Sequence, residues 1–124
     1  MTQRLSLSPL SESPGEARRF VAAWLERWGY SELIDTAALV TSELATNAVE
    51  HTGERFTVAV EDLGDGVHVE VGDHAAALPI PHDDVRGRGM QIIAALADAW
   101  GTTLVPNDGK LVWCDVRTPG LQRA

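Results

Sequence analysis

The chain has 124 residues, room for one domain and no more, so a single domain over 1–124 is expected. Its hydrophobic share of 44% and charged share of 23% suit a globular protein with a buried core and exclude a mainly disordered one, and no apolar run reaches the length of a membrane span. A net charge of −8 argues against direct nucleic-acid binding, which draws on a basic face, and leaves protein partners and small ligands.

In chain order, Gln3 to Ser8 reads as a short strand with Leu5 and Leu7 on one face. Ser13-Pro14-Gly15-Glu16 opens a helix, with Ser13 as cap, Pro14 in the first turn and Glu16 closing a capping box. Phe20, Trp24 and Trp28, beside Val21 and Leu25, form its apolar stripe, and Gly29 stops it. Ser31 to His51 is a second helical stretch with a break near Ile34-Asp35, carrying Ala37, Val40, Leu44 and Ala48 at helical spacing and ending at Thr52-Gly53.

Arg55 to Glu61 and Val67 to Val71 alternate with period two, and Gly64-Asp65-Gly66 between them signals a hairpin. Asp73 to Arg86 is a loop, Gly87 to Trp100 a third helical segment, and Thr102 to Val105 and Lys110 to Val116 two further strands around a Pro106-Asn107-Asp108-Gly109 turn. Strand–helix alternation is absent, so the order predicts a two-layer α/β sandwich: a mixed, mostly antiparallel sheet with helices on one face. The first residues lack the apolar core of a signal peptide, which favours a cytoplasmic protein. Cys114 is the only cysteine, so no intramolecular disulfide forms and a cysteine zinc site is disfavoured. Lys110 is the only lysine, and no glycine–lysine P-loop is present.

Three groups of residues carry potential chemistry. Glu43, Asn47 and His51 follow one another at four-residue steps, one polar ridge along a helix. A carboxylate and an amide one turn apart can share Mg²⁺, which takes a few oxygen ligands and keeps its waters; the alternative is a solvated helix face. Asp73 ends an apolar strand, where it can accept a hydrogen bond from an exocyclic amine such as that of adenine, or simply close an Asx turn. Arg86-Gly87-Arg88-Gly89-Met90 precedes a helix, where glycines admit close backbone approach and free N–H groups face an anion; the alternative is a plain turn.

In this order and at this spacing the three groups resemble the GHKL ATPase superfamily, and most closely its anti-sigma-factor serine/threonine kinases. Glu43 to His51 resembles the N box, Val71-Gly72-Asp73 the G1 box and Gly87-Arg88-Gly89-Met90 the G2 box. Ala17-Arg18-Arg19-Phe20-Val21, Leu78-Pro79, Leu96-Ala97-Asp98-Ala99-Trp100-Gly101 and Gly109-Lys110-Leu111-Val112-Trp113 add matching text. The resemblance implies ATP with Mg²⁺ as cofactors, Asn47 at the metal, Asp73 at the adenine amine, Gly87 to Gly89 at phosphate and Glu43 as general base. His51, Ala75, Arg86, Arg88 and Met90 lie in or beside the same boxes and complete the implied nucleotide-binding set. It further implies a sigma factor as bound partner, an anti-sigma antagonist as phosphoacceptor, and a homodimer, for which the first strand offers an unpaired edge.

Three departures from the pattern are Ala75 in place of a glycine or serine, a short segment between Pro81 and Gly87, and Leu111 in place of a threonine. They favour an alternative from another class: a protein-interaction module that keeps the fold without the catalysis. The chain is also compatible with being the kinase module of a larger regulator.

Overall fold

A computed structural model of the protein describes residues 1–73, 91–105 and 109–119. The elements are β1 (Thr2–Leu7), α1 (Ser13–Trp28), a 3₁₀ turn (Ser31–Leu33), α2 (Ile34–Thr52), β2 (Phe56–Asp62), β3 (Gly66–Asp73), β4 (Ala99–Val105) and β5 (Gly109–Arg117). Residues 91–96 are helical. The strands form one sheet in the order β1-β2-β3-β5-β4, and every described pairing is antiparallel.

Strand periodicity sorts the sheet into two faces. Leu7, Phe56, Val58, Val60, Val67, Val69, Val71, Cys114 and Val116 are buried on one face, under the helices. Against them α1 sets Ala17, Val21 and Leu25, a four-residue ridge, and α2 sets Ala37, Val40, Leu44, Ala45 and Ala48. Ile93, from the helical residues 91–96, joins the same core. The other face, carrying Glu61, His68, Glu70, Trp113 and Asp115, has no helix over it among the described residues. This is the two-layer sandwich that the element order predicts, and its mostly antiparallel character extends to all described strands.

Local chemistry fixes the joints. Gly29 takes φ 86° to end α1, a left-handed conformation that glycine adopts without a Cβ penalty. The break at Ile34 is real: the 3₁₀ turn ends at Leu33 and α2 starts at once. Tyr30, between the helices, donates its hydroxyl to Oδ1 of Asp62 at 2.6 Å, and the Gly64 N–H donates to the same oxygen at 2.9 Å. The helix connection is thereby tied to the β2–β3 hairpin. At the start of β3, a Cβ on Gly66 would lie 2.3 Å from the carbonyl oxygen of Val116 and 2.6 Å from Cα of Arg117. Only glycine lets the strands approach this closely.

Two local expectations fail. Ser13 does not cap α1: Glu12 holds the N-cap position with no side-chain cap, and the buried Ser13 hydroxyl donates to the Ser8 carbonyl at 2.6 Å. A buried hydroxyl takes the nearest acceptor, and here that is the chain end of β1. The third helical segment does not reach Trp100, because Ala99 already belongs to β4. The Asp98 N–H donates to the Asp115 carbonyl at 2.8 Å and its carboxylate accepts the Arg117 N–H at 2.7 Å, so β5 claims this backbone for the sheet. Phe20, Trp24 and Trp28 flank the core as half-buried residues, while the fully buried ridge of α1 runs through Ala17, Val21 and Leu25.

Candidate functional site

α2 is amphipathic in an unusual sense. Its core side is made of small and aliphatic residues, with Thr41 fully buried and its hydroxyl donating to the Ala37 carbonyl at 2.7 Å. Back-bonding of this kind satisfies the hydroxyl without a partner from another element. Around the helix from this core, Glu43 and Asn47 are half-buried, and His51 in the last turn is exposed. The three-residue ridge expected from the sequence therefore exists, and Glu43 and Asn47 are partly withdrawn from water. Asn47 takes part in further interactions within the fold.

α2 packs on β3. That strand runs two residues beyond the expected Val71 and ends on Asp73. Asp73 stands between Phe56 of β2 and Lys110 of β5 in the register. Phe56 is fully buried under the helices, so the register position of Asp73 belongs to the helix-side set. Gly72 before it admits a close neighbour: a Cβ there would lie 2.8 Å from Cδ2 of Leu111.

This register revises the part of Leu111. Leu111 pairs with Gly72 and lies over it, on the face opposite the helices, whereas Lys110 is the β5 residue that pairs with Asp73. Sequence reasoning noted Lys110 as the lone lysine and as part of the Gly109 to Trp113 text, without placing it beside Asp73. The signal that finds it is the strand period: Lys110 shares parity with the core positions Val112, Cys114 and Val116, but that parity has meaning only once the pairing is known. Ala75, Arg86, Gly87, Arg88, Gly89 and Met90 lie outside the described residues, as do most of the expected loop and the Pro106 to Asp108 part of the last turn.

Among the described residues no group of three or more His, Cys, Asp or Glu side chains is placed to hold a metal ion. Glu43 and Asn47 offer two hard oxygen donors, which fits Mg²⁺, since that ion is held by one or two protein oxygens plus water and substrate phosphates. Cys114 takes no part in chemistry: burial, with Asp115 adding, pushes its thiol up to about 12, so it stays protonated in the core.

A long helix with a polar ridge, packed on a strand that ends in an acid within a two-layer sandwich, is consistent with the fold of the GHKL ATPases. Residues 7–114 match the profile of the histidine kinase-like ATPase domain, and the chain belongs to that family. No curated protein matches the chain. Domains of this family bind ATP, usually with Mg²⁺.

Proposed function

We propose that this domain is an ATP-dependent serine/threonine kinase of the anti-sigma-factor type, which sequesters a sigma factor and phosphorylates a protein antagonist. The observation that carries the reading is the half-buried pair Glu43 and Asn47, one turn apart on the helix that packs on the Asp73 strand. Asp73 accepts a hydrogen bond from the adenine amine. Asn47 offers its amide oxygen to the metal, and Gly87 to Gly89 supply backbone N–H groups to the phosphates. Bound Mg²⁺ supplies charge neutralisation on the phosphate oxygens. Glu43 orients the acceptor hydroxyl and takes its proton as the oxygen–phosphorus bond forms, while the bond from the terminal phosphorus to its bridging oxygen breaks and ADP departs.

A second reading, a non-catalytic module that holds a protein partner, is favoured by the short Pro81–Gly87 segment, by Leu111 and by Ala75, which carries no hydroxyl where the family pattern has a glycine or serine. Titration calorimetry with ATP and Mg²⁺, followed by phosphate transfer to candidate antagonists, separates the two. Binding with transfer supports the kinase, binding without transfer supports the module, and no binding at millimolar nucleotide removes the kinase. Asp73→Asn is expected to weaken nucleotide binding by about 1–3 kcal/mol, the loss of a charged hydrogen bond. An unchanged affinity takes Asp73 out of adenine recognition.

A further inference from the structure

On the helix-free face, His68 sits at the centre of the sheet and both of its ring nitrogens meet carboxylates. Nδ1 lies 2.6 Å from Oδ1 of Asp115 across the β3–β5 pairing, and Nε2 lies 3.0 Å from Oε1 of Glu70 along β3. Ionised carboxylates only accept hydrogen bonds, and a neutral imidazole has a single N–H to give. Both bonds form together only when the ring carries both protons. Trp113 stacks on the ring with centroids 5.6 Å apart and planes at 25°, a geometry that favours a cation over the indole.

The charged surroundings are unequal. From β2, Glu61 stands opposite His68 in the register, on the row of Asp115, while Glu70 lies in the next row. From β5, Arg117 stands 3.7 Å from Oδ2 of Asp115 and 2.6 Å from Asp65 of the hairpin. Arg4 of β1 lies in the next row, opposite Ala59, and β4 contributes the uncharged Ala99 opposite Asp115. Asp115 therefore has a second cation near it.

We propose that His68 is a proton-operated clasp: doubly protonated, it holds β5 to β3 through Asp115 and keeps Glu70 folded onto the sheet, and on losing a proton it keeps Asp115 and releases Glu70. The order of release follows from the shorter bond and from Arg117, which steadies Asp115 in either state. The clasp joins the two strands whose ends carry Asp73 and Lys110, and it stands independently of any reading of the nucleotide site. Burial lowers the pKa of His68, but the hydrogen bonds to Asp115 and Glu70 and their charges outweigh it, so the value is raised above 6.5. Stability from the clasp is thus complete below 6.5 and is lost as pH rises through the raised value.

The test is a ¹⁵N-imidazole NMR titration of the whole chain, with the His68 signal assigned by His68→Gln. The expected midpoint lies above 6.5, and the neutral ring above it is the Nδ1–H tautomer. Glu70→Gln, at a partly exposed position, lowers the midpoint by about one unit. A midpoint at or below 6.5, an Nε2–H ring, or a Glu70→Gln midpoint equal to the parent's each overturns the clasp.

Discussion

At the scale of single residues, the chemistry proposed here rests on Glu43. Glutamine keeps its shape and one acceptor oxygen but cannot take a proton. Glu43→Gln is expected to retain most nucleotide affinity and to lose phosphate transfer by roughly 10²-fold or more, read on the same preparation. Transfer at the parental rate removes Glu43 from the mechanism. Tyr30 tests a structural residue in the same way. Its hydroxyl bond and the Gly64 N–H lower the pKa of Asp62 below 3.8. A lowered carboxylate adds stability above its unfolded value and loses it as pH falls through the folded one. Tyr30→Phe is expected to cost about 0.5–1.5 kcal/mol at neutral pH, with the gap to the parent narrowing below pH 3.8 in denaturant titrations. A gap that stays constant into acid breaks the link between Tyr30 and Asp62. The ridge of Glu43, Asn47 and His51 was legible residue by residue, because helical spacing alone aligns them. The closeness of Asp73 to Lys110 was not, because 37 positions of sequence separate partners that only strand pairing brings side by side.

At the scale of elements, strand starts and stops are decided by neighbours as much as by composition. β3 and β5 fit together because Gly66 presents no side chain to the Val116–Arg117 backbone. Gly66→Ala forces a Cβ into backbone atoms, which cannot rotate away as a side chain can. It is expected to destabilise the protein by about 1–3 kcal/mol by overpacking. Gly64→Ala, two residues earlier in the turn, meets nothing within 4 Å and has only its φ of 94° against it. If equilibrium unfolding ranks Gly64→Ala as the more damaging of the two, close strand approach is not what Gly66 serves. The helical segment before β4 makes the same point in reverse. Apolar spacing continues to Trp100, yet the backbone of Asp98 is already bonded to Asp115 and Arg117. Local periodicity predicts a longer helix there, and the sheet edge overrides it.

At the scale of the whole molecule, charge and layering act together. The helices cover one face of the sheet, and the other displays Glu61, Glu70 and Asp115 around His68. With a net charge of −8 the molecule carries a field that draws basic partners. Association with the proposed sigma-type partner is therefore expected to slow as salt rises, measured as the on-rate by surface capture at several ionic strengths. An on-rate indifferent to salt argues that the partner is not recognised through this charge. β1 forms one edge of the sheet, which leaves the edge that the proposed homodimer needs.

The sequence by itself determined the layer architecture, the helix breaks at Gly29 and Ile34, the hairpin at Gly64 to Gly66 and the polar ridge of α2. All of these are written in short-range periodicity and in glycine chemistry, which act within a few residues. Tertiary structure alone decided the strand order β1-β2-β3-β5-β4, the pairing of Asp73 with Lys110, the removal of Leu111 to the helix-free face and the double bonding of His68. These depend on which distant segments share hydrogen bonds. A shift of one residue in any such pairing carries every side chain to the opposite face, so no local pattern records them.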